Sequence, residues 1–210
     1  MNVYCVRSDI NEYRMLVPAP GQADIWDEFY GLCYPHRGPL PKGVVVPTMI
    51  FQDESAPVGD FIGGLYGFVL NQRAYAILRD MLAPCGEFIR VPSPDGEFMH
   101  FRIPYLLDAL DYEKSELEWQ EDELLAFEGG YRQARFISRY VFREDVIGDR
   151  AMFVLACQPL SFFATDKFVS AVQEHKLTGL IGLRVYPDRS KVQPLEKPFG
   201  AARKRRGRGR

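Results

Sequence analysis

The chain has 210 residues, a length within the range of one domain, and 47% of them are hydrophobic, with 15 phenylalanines and 11 tyrosines. Such a chain can bury a core without disulfides or metals, and its composition excludes intrinsic disorder. The four cysteines match no zinc-ligand spacing, so a structural zinc site is not expected. The N-terminus lacks the features of a secretion signal and no run is apolar enough to cross a bilayer, which predicts a cytoplasmic protein with free thiols.

Charge is unevenly distributed along the chain. The formal net charge is −2, but six of the 26 basic residues lie after residue 202, so residues 1–202 carry 20 basic against 28 acidic groups, a net of −8. One segment, 108–128, combines nine carboxylates with the single cation Lys114. The carboxylates are Asp108, Asp111, Glu113, Glu116, Glu118, Glu121, Asp122, Glu123 and Glu128.

The first half of the chain predicts a short strand, a long loop region and one helix. Alternation over residues 2–7 favours an opening strand. Seven prolines between 17 and 59 predict mostly loop there. A strand ending in Phe68-Val69-Leu70 then leads to Asn71 as the N-cap of a helix over 73–82, whose apolar residues recur at helical spacing. A strand over 88–91 follows.

The second half predicts further strands and one more helix. Strand candidates are 97–103, 105–110, 136–142 and 152–156, and an apolar run around Phe162 and Phe163 leads to Thr165 as N-cap of the second helix. A strand over 181–185 closes the domain. The two strand-helix-strand units indicate either a quasi-repeat or two similar supersecondary units, and the second interpretation is favoured.

Together these elements predict an α+β protein with a mixed, largely antiparallel sheet and a few flanking helices. We expect a single domain over residues 1–188 and a flexible Arg/Lys-rich tail over 189–210.

A search for catalytic motifs finds almost nothing. There is no nucleophile elbow, no phosphate-binding glycine loop and no zinc-protease motif. The histidines, His36, His100 and His175, are scattered, and Cys33 with His36 is the nearest thiol–imidazole pair in sequence. The expectation is therefore a protein that is not an enzyme and needs no cofactor or metal. A small Cys/His hydrolase, with its site assembled in space, is one alternative.

The acidic segment admits three interpretations: a solvated face, a cluster of catalytic or metal-binding carboxylates, or an electrostatic surface for a basic partner. Under the third hypothesis Trp119 is an aromatic anchor among the carboxylates. The candidate partner-binding residues are Glu116, Glu118, Trp119, Glu121, Asp122 and Glu123. The basic tail offers a second alternative, a nucleic-acid-associated protein, although the acidic body argues against it.

Several short motifs resemble immunity protein family 11 of bacterial polymorphic toxin systems, over roughly residues 2–188. They are the strand with Tyr4, the Phe68-Val69-Leu70 strand before Asn71, Asp108-Ala109-Leu110-Asp111 with Ser115, and Leu177-Thr178-Gly179-Leu180 before Val185-Tyr186-Pro187. The resemblance implies a cytoplasmic antidote that binds one cognate toxin, often a nuclease, and carries no catalytic residues. An acidic inhibitor suits a nuclease, since a nuclease must be basic to hold phosphates.

Overall fold

The computed structural model describes residues 1–33, 38–52, 54–120 and 132–199. The described part has an α+β architecture, as expected. Its helices are α1 (Ala23–Leu32), α2 (Gln72–Leu82), α3 (Glu144–Ile147) and α4 (Asp166–Glu174). Its strands are β1 (Val3–Ser8), β2 (Leu16–Pro18), β3 (Met49–Phe51), β4 (Phe61–Ile62), β5 (Phe68–Asn71), β6 (Glu87–Val91), β7 (Phe98–Arg102), β8 (Glu116–Trp119), β9 (Ala134–Arg139), β10 (Met152–Leu155), β11 (Gln158–Thr165), β12 (Leu180–Tyr186) and β13 (Gln193–Pro194). None of the described helices is long and apolar enough to span a bilayer.

The strands form two main sheets and two ribbons, where the sequence predicted one mixed sheet. A five-stranded sheet has the order β10-β11-β1-β12-β13, and a four-stranded sheet has the order β4-β5-β7-β6. β2 pairs with β3, and β8 pairs with β9. Every ladder between these named strands is antiparallel. The prediction of largely antiparallel pairing is therefore confirmed.

The central strand β1 is buried on both faces. Tyr4 and Val6 face one hydrophobic cluster, shared with the four-stranded sheet and with apolar residues of α1, α2 and α4. Val3 and Cys5 face a second cluster, built with the β8–β9 ribbon and α3. Because side chains alternate along a strand, β1 joins the two clusters through a single backbone.

The two predicted helices are present as α2 and α4, and the sequence analysis did not predict α1 or the short α3. Asn71 caps α2, since its Oδ1 accepts a hydrogen bond from the Ala74 N–H at 2.9 Å. Thr165 occupies the N-cap position of α4 but makes no capping bond. Its hydroxyl donates instead to the Arg150 carbonyl at 2.9 Å. The segment 17–59, predicted to be mostly loop, contains α1, because the prolines flank this helix and do not interrupt it.

One strand expectation needs correction. Residues 105–110 form no strand and contribute only isolated bridges at Leu107 and Leu110. After residue 188, β13 pairs with β12 and Leu195 is completely buried. Within the predicted tail, residues 200–210 lie outside the described part of the chain.

The two strand-helix-strand units share a topology. β5 and β6 both pair antiparallel with β7, which lies between them. β11 and β12 likewise flank β1. The strand in the middle of the first unit, β7, comes after that unit in sequence, whereas the strand in the middle of the second unit, β1, comes before it. Because the order differs, the interpretation of two similar supersecondary units is favoured over a quasi-repeat.

A buried carboxylate joins the two units. Asp60 is only 5% exposed, and its Oδ2 accepts hydrogen bonds from the Thr178 N–H at 2.9 Å, the Thr178 hydroxyl at 3.2 Å and Arg73 Nη1 at 2.8 Å. Its Oδ1 accepts a bond from Asn71 Nδ2 at 3.1 Å. We call Asp60, Asn71, Arg73 and Thr178 the Asp60 junction. It ties the start of α2 to the loop between α4 and β12.

Gly179 allows the backbone after α4 to approach the backbone of Phe61 closely. The Phe61 N–H donates to the Thr178 carbonyl at 3.0 Å, and Gly179 has a φ of +93°. A Cβ added at residue 179 would lie 2.2 Å from the Phe61 carbonyl oxygen. The Leu177–Leu180 motif therefore owes its glycine to packing between the two units.

Gly179→Ala should lower the free energy of unfolding by about 3 kcal/mol or more, because left-handed backbone strain and a steric clash add together. Gly21→Ala is the matched control: Gly21 also has a positive φ, but no atom lies within 4 Å of an added Cβ. The control should cost only roughly 1 kcal/mol. Urea denaturation of both variants measures the difference, and equal losses would contradict a steric role for Gly179.

Candidate functional site

The β8–β9 ribbon carries the first part of the predicted acidic site. Along β8 the side chains alternate, with Glu116 and Glu118 exposed and Leu117 and Trp119 partly buried. Glu116 and Glu118 thus lie on the outer face of the ribbon. Glu121, Asp122 and Glu123 lie outside the described residues. The assignment of these residues to toxin binding stays a prediction.

Two irregularities shape the outer face. The register shifts between Glu116 and Leu117 and again between Glu118 and Trp119, and each shift places an extra residue in β9. Such bulges break strict alternation. As a result both Arg135 and Phe136 are exposed, as are both Ser138 and Arg139.

The charge of the ribbon differs from the one expected. Glu116 pairs with Arg139 at 3.2 Å, and Glu118 pairs with Arg135 at 3.5 Å. Below the ribbon, Asp108 pairs with Arg143 at 3.0 Å and Asp111 with Lys114 at 2.8 Å. The net charge calculated for residues 108–128 leaves out the arginines of β9 and its flanking residues. Over residues 108–143 there are nine carboxylates and five Lys or Arg side chains, a net charge of −4. The outer face is therefore a mixed-charge surface.

Trp119 belongs to the inner side of the ribbon. It packs against the second hydrophobic cluster, its ring centroid is 5.5 Å from that of Tyr112, and the Arg132 guanidinium lies 5.0 Å from its centroid. The hydroxyl of Tyr112 donates a hydrogen bond to Asp108 Oδ1 at 2.6 Å. Burial raises the pKa of Tyr112, and this hydrogen bond raises it further. These contacts give Trp119 a role in supporting the ribbon.

Phe136 is the exposed aromatic residue of the outer face. It is 52% exposed, lies opposite Glu118 in the ladder, and is bordered by Arg135. A large aromatic side chain surrounded by charged residues is typical of an interface anchor. The sequence contained a signal for it: Phe136 and Ile137 are adjacent in a strand, so one of them must face outward.

Apolar surface continues from the ribbon toward β1. Leu160, 58% exposed, lines a cavity of about 180 Å³ together with Gln133 and Ala134 at the start of β9. Leu160 also lines a larger cleft of about 670 Å³, where Ile10 and Val192 are exposed as well. The ribbon and this cleft therefore share one edge.

The structure gives the hydrolase alternative little support. His100 is fully buried, its Nε2 bonds to the Tyr66 carbonyl at 2.6 Å, and its Nδ1 has no partner. Burial lowers the pKa of His100 to about 4 and raises that of Cys33 to about 12. His175 is the C-cap residue that follows α4, and His36 lies outside the described residues. Across the described ranges no three His, Cys, Asp or Glu side chains are grouped to hold a metal ion.

A comparison with known families finds a match within this chain. Residues 93–183 match the model of the Immunity protein family (Imm11), which confirms the resemblance found in the sequence motifs. The matched region is shorter than expected: it includes Asp108–Asp111 and Leu177–Leu180 but not the Asn71 cap or Val185–Pro187. It contains the whole β8–β9 ribbon. No curated protein sequence matches the chain.

Trp119→Ala should lower the free energy of unfolding by roughly 2 kcal/mol, about half the cost of truncating a fully buried Trp. Phe136→Ala should change it by no more than about 0.5 kcal/mol, since this side chain is half exposed. Urea denaturation of the two variants tests the assignment of inner and outer faces. A larger loss for Phe136→Ala would reverse it.

Cys33 should resist alkylation in the folded protein. With a pKa of about 12, only about one Cys33 thiol in 10⁴ is ionised at pH 8. Iodoacetamide labelling followed by peptide mass spectrometry should show modification of Cys33 only after unfolding in urea, whereas the less buried Cys85 reacts in both states. Rapid labelling of native Cys33 would instead indicate an activated thiol.

Proposed function

We propose that this chain is an immunity protein that binds one cognate toxin domain in the cytoplasm and blocks the toxin's active surface. The observation that carries the proposal is the family match over residues 93–183, which supports an immunity protein role. An inhibitor of this kind works through surface complementarity and needs no catalytic group. Within the matched region, the outer face of the ribbon has the features expected of a binding surface.

In this proposal Phe136 is the central anchor of the interface. The charged residues around it, Glu116, Glu118, Arg135 and Arg139, form the rim that excludes water and fixes the orientation of the toxin. Their ion pairs are solvent-exposed and contribute little to the stability of the fold. They are therefore available to exchange partners when the toxin docks.

The size of a stable interface suggests that the toxin contacts more than the ribbon. Specific complexes bury about 800 Å² per partner, or roughly 20–30 residues on each side, and the two ribbon strands have ten residues together. Leu160 lies beside the base of the ribbon and adds exposed apolar area. We place the footprint across the outer face and this edge.

A basic nuclease domain is the toxin that fits best. Residues 1–202 carry a net charge of −8 and residues 108–143 a net of −4, so the field of the body attracts a cationic partner. The paired arginines on the ribbon limit this attraction near Phe136. Electrostatic attraction then raises the association rate, and apolar contact at Phe136 provides most of the binding affinity.

The direct test is co-expression with the toxin domain encoded beside this chain. The wild-type chain should restore growth and form a complex on size exclusion. Phe136→Ala should weaken toxin binding by roughly 10- to 30-fold, the effect of losing an interface anchor. Tyr105→Ala removes an aromatic side chain that is 62% exposed and lies outside the ribbon, and should bind as tightly as the wild type.

Unchanged killing at matched expression, with no complex formed, would contradict the immunity function. Full rescue with equal affinities for the Phe136 and Tyr105 variants would leave the function intact and remove the ribbon from the interface.

Charge reversal on the ribbon tests electrostatic steering with an internal control. The double variant Glu116→Lys, Glu118→Lys should slow association with a basic toxin about 10-fold at low salt. The opposite double variant, Arg135→Glu, Arg139→Glu, breaks the same two ion pairs but should accelerate association. Stopped-flow binding should show both effects shrinking as the Debye length falls from about 10 Å at 0.1 M salt to about 3 Å at 1 M. Equal rates for both variants would exclude steering.

A further inference from the structure

A polar cavity of about 550 Å³ lies beside the C-terminal end of β1. Leu180 and Ile181 are its lining residues within the region of the family match, and the other lining residues fall outside it. Asp9 and Tyr13 line it from the segment after β1, and Glu196 lines it from the segment after β13. No residue of the β8–β9 ribbon lines this cavity, which shares Arg7, Ile181 and Val192 with the larger cleft beside Leu160.

Two carboxylates in this cavity have unused hydrogen-bonding capacity. Asp9 is only 7% exposed, yet the described residues offer its carboxylate no hydrogen-bond donor and no ion-pair partner. Only its backbone is engaged, with the Asp9 N–H bonded to the Gly179 carbonyl and its own carbonyl bonded to the Tyr13 N–H. Glu196 Oε2 is buried and also lacks a partner. Buried carboxylate oxygens in proteins are normally paired, so the Asp9 side chain and the Oε2 atom of the partly buried Glu196 each call for an explanation.

Asp9, Tyr13 and Glu196 line the same cavity, and the carboxylates act on the Tyr13 phenol. Burial raises the pKa of Tyr13, and the Glu196 carboxylate adds to this rise, as do Asp9 and Asp60 to a smaller extent. A hydrogen bond with Thr178 acts in the opposite direction. The interior of the cavity is thus negative and ends in a phenol that can also accept a hydrogen bond.

The cations that line the cavity lie at its rim. Arg7 and Lys197 are exposed, as is the third carboxylate, Glu12. Neither Arg7 nor Lys197 forms an ion pair within the described part of the chain. Among the residues that the structure describes, no cation is therefore paired with the inner carboxylates.

We propose that this cavity binds the guanidinium group of an arginine side chain presented by a protein partner. A guanidinium is planar, remains charged at all relevant pH values and has five N–H donors, so it can serve two carboxylates and a phenol oxygen at once. Partial desolvation strengthens such charge-assisted hydrogen bonds. The inference rests on the proposed function for the identity of the partner, a basic toxin domain, but the cavity itself can be tested without the toxin.

The test uses the full chain and N-acetyl-arginine amide as the probe, followed by ¹H–¹⁵N NMR. We expect saturable shifts at the amides of Asp9, Tyr13 and Glu196, and no such shifts with N-acetyl-citrulline amide, the neutral analogue. Asp9→Asn and Glu196→Gln should each weaken probe binding at least about 10-fold, because each removes one charge-assisted contact. Glu113→Gln makes the same chemical change on an exposed carboxylate and should leave binding unchanged.

A stability measurement keeps the test independent of folding defects. If the Asp9 carboxylate has no structural partner, Asp9→Asn should leave the urea midpoint unchanged or raise it, whereas a structural role would lower it. Equal binding of the arginine and citrulline probes, unchanged binding in both cavity variants, or saturation by Mg²⁺ or Ca²⁺ instead would overturn the proposal. Failure of rescue with intact probe binding would count against the toxin and not against the cavity.

Discussion

The structure depends on one buried carboxylate and the donors gathered around it. Asp60 receives hydrogen bonds from the backbone and hydroxyl of Thr178, from Arg73 and from Asn71. A buried carboxylate without such partners would strongly destabilise the fold, so the donors and the acceptor constrain one another. The helix cap at Asn71 and the Leu177–Leu180 motif, separated by more than 100 residues, are thereby parts of one contact. This contact is the physical basis of one of the motifs that resemble the immunity family.

Strand β1 connects the Asp60 junction to the ribbon that carries the candidate interface. The Asp60 junction fixes the loop before β12, β12 pairs along the whole of β1, and the far face of β1 packs on the cluster that supports the ribbon. Trp119 and Ile137 anchor the ribbon from inside, which leaves Phe136 and its charged neighbours outside. A binding surface on a ribbon backed by a packed cluster is preorganised, so little conformational freedom is lost when a partner binds.

The local sequence pattern was sufficient to predict some helices and strands, but it could not predict contacts between residues distant in sequence. Asn71 and the apolar spacing of α2 predict that helix from a dozen residues, and the apolar runs of β5, β7 and β10 predict strands. The buried Arg102 had no local signal: it pairs with Glu87 and donates to the Gly38 carbonyl, groups that the fold brings together. The same limit explains the site. Glu116 and Glu118 were correctly expected at the surface, but their pairing with arginines of β9 depends on strand register, which composition does not reveal.

Hydrogen exchange on the complex with the toxin domain tests the central claim most directly. Amides of the ribbon, Glu116–Trp119 and Ala134–Arg139, should gain protection on binding, together with those around Leu160. The four-stranded sheet packs on the first hydrophobic cluster, whereas the ribbon packs on the second, so the amides of this sheet should exchange as in the free protein. Protection confined to the four-stranded sheet, with an unchanged ribbon, would contradict the placement of the interface on this surface.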